Sequence, residues 1–338
     1  MRSPVQGEVA SPLQLPSGSR ARMRGYVQGE VTSPLHLLCP IMSQISSLTF
    51  LSYNIKAGQH HPASLEAVAQ VIEALRPDLV ALQEVDVVAR RTHWVHQPAW
   101  LAKRLGLADQ FGAAFQLPDG GLYGVALLTR WPVERTQVYP LPKPPQATWQ
   151  ARGFGWAGQQ VVPDGVWNRV KRTRLLPWVR RLNPYFAAEP RCLLAATLQS
   201  PWGALHVLVT HWGLQAEERL AQARATLGIA DEWATSGPLI LAGDLNAQPD
   251  SPEIALLRSR LVDAAQAVGL TGEARLTFPS GPMGARTRDL GWAGAIDYIF
   301  VRGLTPQIVR VAYDETRASD HQPLVAELRV NYDPHSGH

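Results

Sequence analysis

The sequence predicts an α+β protein with two β-sheets, each covered by helices. Strand-like apolar segments alternate with helical segments along most of the chain, and two strand-like segments follow each other directly between Leu193 and His211. Alternating elements combined with adjacent strand pairs are typical of layered α+β folds. The 338 residues are 46% hydrophobic and 18% charged, so the chain can bury a sizeable core.

The first half of the pattern begins at Leu48 with the strand LTFLSYNI. The segment 65–75, LEAVAQVIEAL, carries apolar residues at helical spacing, and Arg76-Pro77-Asp78 ends that helix. Three further elements follow in this half, namely the strand LVALQEV (79–85), the helix QPAWLAKRLGL (97–107) and the strand YGVALLTRWPV (123–133).

The second half contains the adjacent strands RCLLAATLQS (191–200) and ALHVLVTHW (204–212). The longest predicted helix, LQAEERLAQARATLGIADEWA (214–234), comes next. Three strands complete the pattern, namely PLILAG (238–243), IDYIFVR (296–302) and PLVAELRV (323–330).

The first 45 residues differ in composition from the rest. VQGEVASPLQL (5–15) returns as VQGEVTSPLHL (27–37), within a Ser-, Pro-, Gly- and Arg-rich stretch that lacks apolar periodicity. We predict either a disordered tail at 1–45 or a start of translation at Met42, and a folded domain at 46–332. No apolar core of a signal peptide follows the arginines, and no run approaches the ~18 residues of a membrane span. We expect a cytoplasmic protein, with secretion left open.

A second irregular region, 142–188, lacks a clean strand and is longer than an ordinary loop, which predicts an insertion. It carries arginines and tryptophans close together. The residues considered for substrate binding are Arg172, Arg174, Arg180, Arg181, Trp167 and Trp178.

Polar side chains recur at the ends of the apolar strands. They are Asn54, Glu84, His211, Asp244, Asn246, Asp297, Asp320 and His321. Each alone would fit a solvated loop or a turn; Asp244-Leu245-Asn246, for example, fits an Asx-turn. Asp244 and Asn246 are two residues apart, so in an extended chain they face the same way. Buried acids are costly unless they are paired or bind a cation, so the set predicts a cation site or acid–base chemistry.

Seven segments occur along the chain in a fixed order, namely YNIKAG, ALQEVD, YGVALLTRWPV, VTHWGL, LAGDLNAQPDS, IDYIFV and SDHQPLVAEL. Together they resemble the endonuclease/exonuclease/phosphatase superfamily with the DNase I-like fold, over about 48–330. The resemblance implies a four-layer α/β/β/α sandwich and metal-dependent hydrolysis of a phosphoester at one end of both sheets.

The resemblance also implies roles for these residues. Glu84, Asn54 and Asp320 would hold Mg²⁺ or Mn²⁺, with Asn54 as a ligand or an orienting residue. Asp244 would orient and deprotonate water, and Asn246 would hold the Asp244 carboxylate or donate to a phosphate oxygen. His321, oriented by Asp297, would donate to phosphate, whereas His211 would contact phosphate or protonate the leaving group.

Four positions depart from the implied pattern or extend it. Val125 and Ala295 stand where many relatives have Asn and Arg, so one substrate contact is missing or supplied elsewhere. His96 stands where Asp is common, and we expect a structural role for it. Glu189 is expected either to orient His211 or to be a surface acid.

The substrate is left between two classes. The basic, Trp-containing insertion fits the backbone and bases of a nucleic acid, which favours a nuclease. A helical insertion would instead place its apolar side against an anionic phospholipid, which fits a phospholipid or inositol-phosphate hydrolase at a membrane surface; a solubilising loop is the third interpretation. The net charge of +4 is compatible with any anionic partner. A non-catalytic binding scaffold is disfavoured because every expected catalytic residue type is present.

Overall fold

The computed structural model describes residues 47–59, 64–143, 189–235, 237–279, 294–313 and 316–330. The predictions for the tail at 1–45 and for the arginines and tryptophans of the insertion fall outside these residues. Statements below about counts and partners refer to the described ranges.

The described residues form two six-stranded sheets. The strands in chain order are β1 (Ser47–Asn54), β2 (Leu79–Val87), β3 (Ala108–Gln116), β4 (Leu122–Thr129), β5 (Val133–Pro140), β6 (Cys192–Ser200), β7 (Gly203–His211), β8 (Leu239–Asp244), β9 (Val262–Asp263), β10 (Asp297–Arg302), β11 (Leu304–Val311) and β12 (Leu324–Val330). The first sheet has the order β11-β12-β1-β2-β4-β3 and the second has the order β5-β6-β7-β8-β10-β9. β1 pairs with β2, and β7 with β8, in parallel; the other pairs within the sheets are antiparallel.

The described residues form five α-helices, four of which lie on the outer faces of the sheets, whereas Ala264 and Ala265 of the fifth pack in the core between the sheets. The helices are α1 (Leu65–Leu75), α2 (Gln97–Leu105), α3 (Ala216–Trp233), α4 (Pro252–Arg258) and the short α5 (Ala264–Ala267). α1 and α2 contribute to the core on the outer side of the first sheet, and α3 and α4 to that of the second. None of the helices in the described ranges has the length and apolar character needed to cross a membrane.

The largest buried cluster lies between the sheets and draws on both of them. In β1, Phe50 belongs to this central cluster whereas its neighbour Leu51 packs with α1 and α2, as expected for side chains that alternate along a strand. The same alternation places Val209 of β7 and Ala242 of β8 in the central cluster. This arrangement confirms the predicted four-layer α/β/β/α sandwich.

Each segment that the sequence predicts as a strand or helix has a counterpart, but the strands β3, β5, β9 and β11 and the helices α4 and α5 have no predicted equivalent. β5 is mostly exposed along its length and lies at a sheet edge, so it lacks the alternating apolar residues that mark a half-buried strand. β3 is also an edge strand and is only partly buried.

Candidate active site

Three strands of the second sheet place His211, Asp244 and Asp297 side by side. In the strand register, His211 is opposite Asp244, and Asp244 is opposite Asp297. Each of the three side chains lies on the same face of its strand as a core residue two positions away, such as Val209 for His211, and that face is the one between the sheets. The inner face of the sheet therefore changes from apolar to polar at one end, where all three residues are buried.

Asn54, at the end of β1, connects the first sheet to this row. Its Nδ2 donates to Asp244 Oδ2 at 3.0 Å and to Glu84 Oε1 at 3.0 Å. Its Oδ1 accepts from the backbone N–H of Lys56 at 3.0 Å. One fully buried amide thus links carboxylates that belong to different sheets.

Glu84 reaches the site through a β-bulge. The register of β2 against β4 shifts between Leu82 and Val85, and Glu84 has a left-handed φ of 54°. Leu82 and Val85 both pack on the outer side of the sheet, so the inserted residue re-aims the chain between them. Burial raises the pKa of the Glu84 carboxyl, and Asp320 raises it further.

Asp320 precedes β12 and forms an ion pair with Lys56. Both side chains remain partly exposed. Lys56 is a residue of this site that the sequence interpretation missed; it follows Asn54 by two positions and has a φ of 48°.

His321 is held against two acids. Its Nδ1 lies 2.9 Å from Asp297 Oδ2 and its Nε2 lies 3.6 Å from Asp244 Oδ2. Burial alone would lower the pKa of His321, but Asp297 and Asp244 outweigh it and raise the pKa to about 10. His321 is therefore an imidazolium at neutral pH, with Nδ1–H donated to Asp297 and Nε2–H directed at Asp244.

Ser319 anchors the segment that carries His321. Its hydroxyl donates to the backbone oxygen of Asn54 at 2.6 Å and accepts from the backbone N–H of His321 at 3.2 Å. The segment before β12 is thereby attached to the end of β1, next to the bridging amide.

Asp244 receives donors on both carboxylate oxygens. Oδ1 accepts from the backbone N–H of Asn246 at 3.0 Å, and Oδ2 accepts from Asn54 at 3.0 Å. Burial raises the pKa of Asp244 to about 7, with a further contribution from Asp297. A carboxylate with this pKa can exchange a proton near neutral pH.

Asn246 reaches the site by a route different from the expected one. β8 ends at Asp244, and Asn246 has a left-handed φ of 49°, so the premise of an extended chain is wrong. The chain makes an Asx-type turn instead, in which the Asp244 side chain accepts from the Asn246 N–H. Asn246 Nδ2 then donates to Trp212 O at 3.0 Å and lies 3.2 Å from His211 Nε2.

His211 differs from His321 in its second neighbour. Its Nε2 lies 3.5 Å from Asp244 Oδ2, and its Nδ1 lies 2.9 Å from Nη1 of Arg191. Burial, Arg191 and His321 together hold the pKa of His211 well below its ordinary value. His211 is therefore neutral at pH 7, which disfavours the expected role in protonating a leaving group.

The contact expected between Glu189 and His211 is replaced by an indirect one. Glu189 Oε2 lies 3.4 Å from Nη2 of Arg191, and Arg191 is the residue that touches the histidine. Arg191 precedes β6, and the sequence interpretation did not select it because an arginine at the start of a strand ordinarily faces solvent.

The three residues that depart from the family pattern, His96, Val125 and Ala295, lie in ordinary structural positions. His96 caps α2, since its Nδ1 accepts from the backbone N–H of Ala99 at 3.2 Å. Val125 and Ala295 are buried.

The donor atoms suit a hard divalent cation. Glu84 and Asp320 offer carboxylate oxygens, and the raised pKa of Glu84 indicates a carboxylate that a cation would stabilise. Asp244, Asp297 and His321 also bring one potential ligand atom each within 4.8 Å of one another. In that group, however, both ring nitrogens of the protonated His321 carry hydrogens, so Glu84 with Asp320 is the more suitable set.

The amino-acid sequence matches a protein-family model over most of the chain. Residues 51–321 match the model of the Endonuclease/Exonuclease/phosphatase family. No curated protein matches the sequence.

Solved structures share the fold. The endonuclease/exonuclease/phosphatase from Beutenbergia cavernae is 22% identical with a TM-score of 0.60, and the match covers 84% of this chain and 72% of that one. The human Nocturnin catalytic domain with bound sulfate is 18% identical with a TM-score of 0.57, covering 84% and 93%. D. rerio TDP2 complexed with a single-strand DNA product is 18% identical with a TM-score of 0.55, covering 84% and 100%.

Proposed function

Because the chain belongs to the endonuclease/exonuclease/phosphatase family, whose members hydrolyse phosphoester bonds, we propose that it is a Mg²⁺- or Mn²⁺-dependent phosphodiesterase that acts on nucleic acid. The observation that carries this proposal is the position of Asp244. Its carboxylate accepts hydrogen bonds from Asn54 and from the backbone N–H of Asn246. Nε2 of His211 and Nε2 of His321 lie 3.5 and 3.6 Å from its Oδ2.

Asp244 is the residue best suited to orient and deprotonate the attacking water. The bonds from Asn54 and the Asn246 backbone hold its carboxylate in one orientation. Because the pKa of Asp244 is about 7, its carboxylate can both accept and release a proton near neutral pH, which is where a general base is most effective.

His321 is suited to stabilise charge on the phosphoryl group. Asp297 keeps it protonated, and its Nε2–H points toward Asp244, where the water would be activated. A fixed cationic donor stabilises an oxygen on which negative charge develops.

A divalent cation would be held by Glu84 and Asp320, with Asn54 orienting Glu84 through its amide. When bound, such an ion neutralises phosphate charge and stabilises the leaving oxygen.

A substrate panel tests the proposal. It contains single- and double-stranded DNA, RNA, phospholipid vesicles, inositol phosphates and bis-p-nitrophenyl phosphate, each with Mg²⁺ or Mn²⁺. We expect hydrolysis of nucleic acid and of the small diester, its loss with EDTA or with Glu84→Gln, and its recovery when metal is returned to the wild type. Glu73→Gln, on the exposed side of α1, is the control and should leave turnover unchanged. Full activity after exhaustive chelation would contradict the cation.

Nucleic acid is favoured over lipid by two observations. D. rerio TDP2, which shares this fold, binds a single-strand DNA product. In the insertion, Arg172, Arg174, Arg180 and Arg181 are close in sequence to Trp167 and Trp178. Proteins that bind single-stranded nucleic acid combine basic side chains for the phosphates with aromatic side chains on which the bases stack.

Replacing the four arginines by serine separates the two substrate classes. On duplex DNA the log–log salt slope of binding should flatten by up to about 0.9 per lost phosphate contact. A protein that acts on lipid should instead lose binding to anionic vesicles, and adding Trp167→Ala and Trp178→Ala should deepen that defect. Hydrolysis of the small diester should be unchanged in the same variant.

A further inference from the structure

We infer that Arg191 is a positioning residue that fixes the tautomer of His211, so that the histidine always presents its Nε2–H to the reacting phosphate. This inference rests on the proposed function for its consequence in catalysis. The tautomer itself can be measured without any substrate.

The contact between the two side chains determines where the proton lies. A guanidinium group has only donors, so the Arg191 Nη1 that lies 2.9 Å from His211 Nδ1 must donate to it. Nδ1 therefore carries the lone pair, and the single proton of the neutral ring lies on Nε2. Nε2 is the nitrogen on the side of Asp244.

Asn246 makes the same side of the site rich in donors. Its Nδ2 lies 3.2 Å from His211 Nε2, and the bond to Trp212 O fixes which end of the amide is the nitrogen. Two N–H donors cannot satisfy each other. An oxygen of a substrate phosphate would accept from both, which is the arrangement that stabilises developing negative charge.

The surroundings of Arg191 argue against a purely structural role. Its side chain is only 5% exposed, and its carboxylate partner Glu189 is 37% exposed and 3.4 Å away. A buried guanidinium gains little from an ion pair with a partly exposed carboxylate, so its position is better explained by the contact with His211, 2.9 Å away inside the site.

Arg275 shows what a structural arginine looks like in the same chain. Its side chain is 6% exposed, it pairs with Asp263 at 2.9 Å, and its guanidinium lies over the ring of Tyr298. Its Nε, like that of Arg191, is buried without a partner among the described residues. Arg275 is thus a matched control for the loss of a buried arginine.

Histidine ¹⁵N NMR on the full chain at neutral pH tests the tautomer. The His211 signals are identified by their loss in His211→Gln. We expect the wild type to show a protonated Nε2 and an unprotonated Nδ1, and Arg191→Met to lose this preference. Arg275→Met should keep the His211 signals, whatever its loss in melting temperature. A wild-type His211 protonated on Nδ1, or a tautomer unchanged in Arg191→Met, overturns the inference.

Kinetics on the small diester test whether Arg191 acts through His211. Arg191→Met should lower kcat by no more than the loss of about tenfold expected for His211→Gln, because Arg191 acts through that histidine. In the His211→Gln background the same substitution should add little, because contacting residues that act together are non-additive. An equal loss in both backgrounds overturns the inference. Arg191→Gln, which keeps an N–H donor, should retain the wild-type tautomer and serves if the methionine variant does not fold.

These measurements separate this inference from the proposed function. If no phosphodiester is hydrolysed, the proposed function fails while the NMR result still decides the tautomer. If hydrolysis is observed and the tautomer is the opposite one, the inference about Arg191 fails and the proposed function stands.

Discussion

The two histidines of the site make nearly the same contact on one side of the ring and opposite contacts on the other. Nε2 of His211 and Nε2 of His321 lie 3.5 and 3.6 Å from the same oxygen of Asp244. Nδ1 of each lies 2.9 Å from a charged group, but that group is the Arg191 guanidinium for His211 and the Asp297 carboxylate for His321.

The difference in charge follows from the residue behind each ring. The pKa of His321 is raised to about 10, and that of His211 is held well below its ordinary value, although both are buried against one carboxylate. Burial and the shared acid act on both rings, so they cannot account for the difference between them. The second partner, Asp297 or Arg191, accounts for it, so one site contains a fixed cationic donor and a fixed neutral donor.

The largest expected effect comes from removing the cationic member. His321→Ala should lower kcat on the small diester by about 10²- to 10³-fold, the size of an oxyanion-stabilising donor. Asp297→Asn should cost a comparable factor, because it removes the carboxylate that keeps the ring protonated.

The double variant separates a joint role from two independent ones. His321→Ala with Asp297→Asn should be little worse than His321→Ala alone. His206→Gln is the control, since His206 is a buried histidine near the other end of β7. Additive losses would mean that Asp297 acts independently of His321.

A smaller loss is expected for the neutral member. His211→Gln should lower kcat by about tenfold or somewhat more, because hydrogen bonds from neutral donors are roughly half as strong as those from charged ones. Measuring it beside His321→Ala, in one buffer and with one metal, ranks the two donors directly. A larger loss for His211→Gln than for His321→Ala would reverse the ranking and break the comparison.

The residues in this comparison were not equally predictable from sequence. Asp244, Asp297 and His321 each adjoin an apolar strand, so their convergence follows once the strands are assigned to sheets. Arg191 has the same sequence context as a solvent-facing charge, and only the packing of β6 against β7 shows that it is buried beside His211.

The backbone conformations at Glu84 and Asn246 could not be predicted from the pattern of apolar residues either. The bulge that turns Glu84 into the site and the left-handed turn at Asn246 leave no periodic signal, although both residues were selected correctly as polar ends of strands. Runs of apolar residues identified the central strands β1, β2, β7 and β8, which are buried on both faces. The edge strands β3 and β5 lack such runs because they are partly or mostly exposed, so they were missed.

The last expected effect is on stability, and it has opposite signs for the two histidines. The native pKa of His321, about 10, exceeds that of an unfolded histidine near 6.5. Its stabilisation is therefore complete below about pH 6.5 and is lost as the pH rises toward 10. His211 stays neutral in the native state, so the unfolded chain takes up a proton below about pH 6.5 that the native chain does not, and stability falls on the acid side.

Denaturant unfolding of the metal-free protein between pH 5.5 and 9.5 measures both contributions. Each tenfold change in proton affinity is worth about 1.4 kcal/mol, so the difference between about 6.5 and about 10 makes the contribution of His321 several kcal/mol, and the contribution of His211 has the opposite sign. His321→Gln should flatten the decline above pH 6.5 and leave the acid side in place, whereas His211→Gln should flatten the acid side alone. His206→Gln supplies the background for losing a buried histidine elsewhere. If His211→Gln flattened the alkaline side instead, His211 would be protonated in the native state, and the guanidinium behind it could not be setting its charge.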